Sequence, residues 1–311
     1  MARFLKTLFH GSWLLVVLAL LVTACGRPAV HSRESYVFGT RVEVLVWNEP
    51  EESARGAVAE VLREFDRLHR TYHAWQPSEL TALNEAIATG YPREVSAELA
   101  GLVTNARRVA TLSDHLFDPG IGRFVALWGF HSDEFKPQLP EPAALKALLS
   151  AHPSVADLTL EGHEIGGRNR SVAIDFGGIL KGVALDRAAA ILKARGIRNA
   201  LINIGGNVMA LGSKGSASWR VGIQHPRSSA PLATLELFDG EAIGTSGDYQ
   251  RYFEFDGRRY SHLLDPRTGL PATGSQAVTI LVTPRLDAGM WSDAGTKPLF
   301  VAGDGWSDLA G

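Results

Sequence analysis

The stretch DFGGILKGVALD, residues 175–186, sets two carboxylates, Asp175 and Asp186, at the ends of a glycine-punctuated turn with Lys181 between them. Glycine lacks a Cβ, so such a turn lets backbone N–H groups come close to a phosphate. Two more turns of this kind follow apparent strands, IGGN at 204–207 and TSGD at 245–248. Each alone is ordinary turn chemistry, with Asp175 a turn residue and Lys181 a solvated first-turn side chain. Three of them, mixed with Asp175, Lys181, Asp248, His262, Asp265 and Asp293, read instead as a phosphate-ligand site. Neither a Walker A loop nor G-x-G-x-x-G is present, so nucleotide binding by those routes is not supported.

The elements that must hold these residues follow from periodicity. TRVEVLVW alternates Val42, Val44 and Val46 with polar partners, the mark of a half-buried strand. EESARGAVAEVLREFDRLHR spaces Ala54, Ala57, Val58, Val61, Leu62, Phe65 and Leu68 as a helix, with acids in its first turn and His69 and Arg70 in its last. SAELAGLVTNARRVATL repeats that pattern with Ser96 as N-cap. HSDEFKPQLPEP is a loop and AALKALLS a short helix. VAID (172–175), the Gly-Gly turn, a helix stopped at Gly196 and the strand ALINI have the shape of a strand-helix-strand unit. In YQRYFEFDGRRYSHLL, Asp256-Gly257 supplies the positive φ angles of a type I′ hairpin that delivers HLLDPRTG. Long helices with hairpins predict an α+β fold of mixed sheets and packed helices.

At the N-terminus, a positive MARFLKTLFH precedes the apolar GSWLLVVLALLVTAC, which is too short to span a bilayer comfortably and reads as an export signal. It ends at Cys25, the only cysteine among 311 residues. VTAC resembles a bacterial lipoprotein signal, in which cleavage before the cysteine accompanies its lipidation. We therefore expect a signal over 1–24, a tether over 25–34 and one domain over 35–311, in the periplasm and anchored to the membrane through Cys25. The 31 Lys and Arg nearly balance 33 Asp and Glu, for a net charge of -2, and nothing forecasts nucleic-acid binding.

DFGGILKGVALD, NIGGN, TSGDYQRYFEFDGRRYSHLLDPRTGLP and SDAGTKPLFVAG occur in the order found in the ApbE family of FAD:protein FMN transferases. The resemblance extends upstream through FGT (38–40), SELTALN (78–84) and LFDPGIGRFVALWGF (116–130). It implies an ApbE-type fold with T-fold-like subdomains and a periplasmic, Mg²⁺-dependent enzyme. Such an enzyme moves the FMN half of FAD onto a threonine of an exported redox protein, forming a phosphoester and releasing AMP. By the same resemblance, Phe38, Trp75, Leu116, Phe117, Asp118, Asp175, Lys181 and Leu264 would bind the flavin dinucleotide. Trp75 and Phe117 read equally well as core aromatics. Gly178, through its backbone oxygen, and Asp293 would hold the metal, and His262 would be the general base. The residue types fit that chemistry, since attack on a pyrophosphate needs a cation, a positioned hydroxyl and a proton acceptor.

Three departures from the family pattern stand out. The family usually carries D-A-x-[ST]-T-A-L-F at its second metal segment, where a threonine four residues after the aspartate is a ligand. This chain reads DAGTKPLF, with Lys297 at that position, so Thr296 or water would complete the shell, or the lysine charge would replace part of the metal's role. Phe38 stands where the family usually has methionine, and the chain ends at GDGWSDLAG, short of the further strand or two common in relatives. A metal-dependent FAD pyrophosphatase and a non-catalytic flavin-binding lipoprotein remain as alternative functions.

Overall fold

Val42, Val44 and Val46 are fully buried, and the strand they mark is the second of a six-stranded sheet in a computed structural model that describes residues 29–132 and 137–309. Its strands are β1 (Val30–Val37), β2 (Thr40–Trp47), β3 (Ala200–Ile204), β4 (Asn207–Leu211), β5 (Ala242–Gly247) and β6 (Ala277–Val282), and they lie side by side in that order. Every neighbouring pair is antiparallel, so the sheet is not mixed as expected. The tether expectation also needs correction at its end. Residues 30–34 pair in register with β2, from Val30 opposite Trp47 to Glu34 opposite Glu43, because their ladder bonds are satisfied only in the sheet. The signal segment and Cys25 fall outside the described residues. Among those described, no helix is long and apolar enough to cross a membrane.

Helices cover the buried face of this sheet. The predicted amphipathic helix forms as α1 (Glu51–Thr71), and its buried residues are Ala54, Ala57, Val58, Val61, Phe65 and Leu68. α2 (Glu79–Thr89) starts at a capping box in which Ser78 and Thr81 exchange side-chain and backbone bonds. α3 (Ala97–Leu112) begins at Ser96, whose hydroxyl accepts from the Leu99 N–H. α4 (Gly122–Leu127), α5 (Pro142–Ala151) and α6 (Leu180–Ala194) follow, then α7 (Ala288–Ala294) and α8 (Thr296–Ala302). α6 lies against α1, α7 and strands β3 and β4, and Gly196, at φ 77°, follows its end. A separate aromatic core gathers Phe124, Trp128, Phe130, Phe253 and Leu264. The predicted hairpin supplies Phe253, with Asp256 and Gly257 at φ 48° and 70° between its strands Tyr252–Phe255 and Arg258–Ser261.

VAID does not form a sheet strand. Asn84 of α2 takes both backbone groups of Ile174, accepting from its N–H at 2.7 Å and donating to its carbonyl at 2.9 Å. Only a parallel bridge between Ile121 and Ala173 remains. The expected strand-helix-strand unit is therefore a pinned extended segment, then α6, then β3. The α+β class itself holds.

Candidate active site

Asp175 caps its own turn, accepting from the Gly177 N–H at 2.7 Å. Burial pushes its carboxyl above the ordinary range, against the opposing pull of the Gly177 N–H, Arg251 and Lys181. In the first turn of α6, the Lys181 ammonium lies 3.4 Å from the Gly177 carbonyl and 3.7 Å from Asp293 Oδ1. The expectation that the glycine turns present free N–H groups to phosphate is corrected at two of them. The Gly177 N–H is held by Asp175, and that of Gly206 by Asn203 Oδ1 at 2.9 Å.

Asp293 sits on α7, where two close approaches fix it. A Cβ on Gly182 would stand 2.2 Å from the Gly289 carbonyl oxygen, and one on Gly244 would stand 1.9 Å from that of Ser292. Only glycine lets α6 and β5 come this near to α7. The approach delivers the Gly182 N–H to Asp293 Oδ2 at 3.0 Å. Lys297, one turn on, donates to the Asp293 carbonyl at 2.7 Å and also to Oδ1 of its carboxylate. Burial would raise the Asp293 carboxyl, but the Lys181 and Lys297 ammonium groups overcome it and hold the pKa low. Lys297 is itself pushed down to about 8, chiefly by burial and further by Lys181, against the attraction of Asp293.

His262 follows the aromatic hairpin. Its Nδ1 is 3.1 Å from the Arg251 carbonyl, which only an N–H can satisfy, so the proton sits on Nδ1 and Nε2 keeps its lone pair. Its ring meets the edge of Phe130 at 6.3 Å. Burial, then the Arg251 charge, pushes His262 down to about 3, so it is neutral at every physiological pH. Lys181 acts electrostatically on Asp175, His262, Asp293 and Lys297. Among the described residues, three cations, Lys181, Arg251 and Lys297, thus share one patch with the carboxylates of Asp175 and Asp293, the first of them raised. Clustered cations of this kind are what an anionic ligand needs.

A row of rings approaches this patch. Phe38, at φ 57° in the turn between β1 and β2, packs on Phe65 at 6.0 Å and His69 at 5.7 Å. His69 meets His73 at 4.9 Å, His73 meets Trp75 at 5.0 Å, and the Arg251 guanidinium lies 6.0 Å from the Trp75 ring centre. Trp75 is half-buried and, with Asp175, Asn84 and Ala126, lines a cleft of about 200 Å³. It is therefore not a core aromatic. Phe117 is nearly buried, and its ring fills the space a Cβ on Gly178 would need, at 2.6 Å.

The sequence profile of the ApbE family matches residues 38–310. The chain belongs to the ApbE family. A FAD:protein FMN transferase of Rhodobacter capsulatus is 42% identical over 95% of this chain, which spans 56% of that relative's length. One from Klebsiella pneumoniae is 30% identical, with 85% of this chain and 81% of the relative covered. In structure, the ApbE protein of Thermotoga maritima superposes with a TM-score of 0.81 at 30% identity over 90% of both chains. The flavin transferase ApbE of Vibrio cholerae gives 0.79 at 26% identity, over 91% of this chain and 90% of that one.

The Mg²⁺ that the ApbE resemblance implies does not fit the side chains as folded here. Lys297 already fills the fork between the Asp293 carbonyl and carboxylate. Thr296, expected as a substitute ligand, is fully buried, donates to the Asp293 carbonyl at 2.7 Å and pairs with the Ser246 hydroxyl at 2.7 Å. Mg²⁺ can fill part of its six-oxygen shell with water and substrate phosphates, but the protein must still offer one or two oxygens with free lone pairs. Among the described residues, no three His, Cys, Asp or Glu side chains converge on one point. Gly178 lies beside the Lys297 stem, 3.4 Å from Cε to an added Cβ.

Three other expected flavin residues belong to the scaffold. Asp118 is 2% exposed, and its carboxylate accepts from the N–H groups of Gly120 and Val155 and from the Ser154 hydroxyl, with His115 Nδ1 at 2.8 Å. No oxygen is left for a ligand. Leu264 is part of the aromatic core and Leu116 is nearly buried. Asp248 is held by the Arg227 guanidinium and Asp265 by that of Arg267. Arg251 and Asn84 are the site residues that sequence reasoning missed. Both lay inside quoted motifs, and a charged Arg beside the GD turn was the available signal.

Proposed function

We propose that this chain transfers the FMN half of FAD to a threonine hydroxyl of an exported redox protein, forming a phosphoester and releasing AMP. Membership of a family whose relatives are named FAD:protein FMN transferases supports the chemistry. The observation that carries it is local: His262 keeps an unprotonated Nε2 within the electrostatic reach of three cations, Lys181, Arg251 and Lys297.

In this reading the diphosphate of FAD lies among the three cations, and the half-buried Trp75 offers an apolar face to a planar ring. The acceptor oxygen bonds to the phosphorus of the FMN half, the P–O bond to the bridging oxygen breaks, and AMP leaves with that oxygen. The hydroxyl proton passes to His262 Nε2. The dianionic ligand also tunes the base. Arg251, Lys181 and Lys297 all depress His262, so compensating their charge raises its basicity when substrate is present. No step here runs through a divalent ion. The same reading puts the enzyme in the periplasm, lipid-anchored through Cys25, with the sequence VTAC as its support.

Incubating the purified soluble domain with FAD and an exported redox protein bearing the acceptor threonine tests this. Flavin fluorescence that stays with the acceptor after denaturing electrophoresis is the expected result. AMP and free FMN, with the acceptor unlabelled, would replace transfer by pyrophosphate hydrolysis.

A further inference from the structure

Asp293 presents two oxygens on one side, its carbonyl and Oδ1, and the Lys297 ammonium bonds both. We infer that Lys297 is the resident cation of this site, meeting the FAD diphosphate together with Lys181 in the place of a divalent metal, so that FAD binding is independent of metal. This rests on FAD being the ligand.

Four features lead there. The Lys297 side chain is only 12% exposed, and its stem runs beside Gly178, so the ammonium cannot swing into solvent without leaving a void. Pro298 does not turn it outward. It is the third residue of α8, within the first turn, where a missing N–H breaks no helical bond. The second Asp293 oxygen is held by the Gly182 N–H, and the Thr296 hydroxyl is engaged on both sides, so a metal displacing Lys297 would find few free oxygens. It would also bring a double charge to a carboxylate whose Oδ1 already lies 3.7 Å from the Lys181 ammonium, in a buried setting where repulsion is little screened. An ammonium has three N–H groups. Asp293 takes two, and the third remains for a phosphate oxygen.

The test separates cation from substrate. Mn²⁺ alone is titrated into the wild-type protein and followed by its EPR signal, and FAD binding is measured by calorimetry in EDTA and again in millimolar Mg²⁺. The wild type is expected to leave Mn²⁺ free at millimolar concentration and to bind FAD within threefold of the same affinity in both buffers. Lys297→Thr is expected to lose FAD affinity at least tenfold in EDTA and to recover it with Mg²⁺. Lys297→Met, of similar volume, should lose it in both. Wild-type FAD binding that weakens tenfold or more in EDTA, or Mn²⁺ bound at micromolar concentration, overturns the inference whatever the variants do and leaves the transfer reading intact. FAD that binds independently of metal but is never transferred sustains the inference and sinks the transfer reading. Absence of FAD binding in either buffer rejects both.

Discussion

Gly182→Ala is the substitution that most directly probes how the fold positions Asp293. The new methyl carbon would start 2.2 Å from the Gly289 carbonyl oxygen, 2.7 Å from Met290 Cα and 2.8 Å from Asp293 Cβ. Ordinary van der Waals contact is about 3.5 Å, so α6 and α7 must part by roughly 1 Å. All three neighbours are backbone or backbone-attached, so no flexible side chain can yield instead. Overpacking of this kind costs about 1–3 kcal/mol. In a chain of this size that is about 2–4 °C of melting temperature per kcal/mol. Parting the helices also stretches the 3.0 Å bond from the Gly182 N–H to Asp293 Oδ2, displacing the carboxylate that holds Lys297. Gly56→Ala serves as the control. Gly56 lies in α1 with nothing within 4 Å of an added Cβ, so alanine there should stabilise by about 0.5–1 kcal/mol. The assay is thermal unfolding with and without FAD. Gly182→Ala should melt lower and lose most of the shift that FAD confers, and Gly56→Ala should melt slightly higher and keep it. A Gly182→Ala protein with wild-type melting and FAD response would refute the claim that this helix contact sets the site.

Further outcomes follow from the same geometry. His262→Ala should bind FAD normally but transfer FMN about 10²–10⁴-fold more slowly, and rapid-quench assays against wild type would show whether it does. His262 is held near pKa 3 when folded, below the usual 6.5, so the unfolded chain takes up the proton first and ligand-free stability falls as pH drops through that window. Urea midpoints between pH 7 and 4 should decline less steeply for His262→Gln than for wild type. Asp118→Asn removes a buried charge that accepts several hydrogen bonds, and should cost at least about 2 kcal/mol, with FAD affinity unchanged below the melting range. Cys25→Ser should release the protein from membranes in fractionated cells, and unchanged sedimentation with membranes would reject the anchor.

What could be read from the sequence was whatever short-range pattern decides. α1 and α3 show their buried stripes, and Asp256-Gly257 announces its hairpin, because a period or a turn dipeptide suffices for each. VAID looked like a strand by the same logic. Its ladder partner turned out to be the Asn84 side chain, 90 residues away in the chain, which no local pattern encodes. Asp118 shows the same limit. The family resemblance made its carboxylate a ligand contact, and in the fold Gly120, Ser154 and Val155 close around it instead. Lys297 was visible as a departure at the position where the family usually has a threonine ligand. That the ammonium reaches the backbone carbonyl as well as the carboxylate depends on the α7–α8 junction and could only be seen in three dimensions. Arg251 escaped notice because its neighbours, Phe130, Ser132 and Trp75, come from distant parts of the chain.

The central claim is that FAD is cleaved with retention of FMN on an acceptor threonine. Intact-mass analysis of the acceptor after incubation with this protein and FAD, with AMP quantified in the same sample, tests it most directly. Transfer predicts an acceptor heavier by one FMN less water, one AMP per acceptor modified, and no adduct when the threonine is replaced by alanine. AMP formed in step with free FMN and an acceptor of unchanged mass would contradict it.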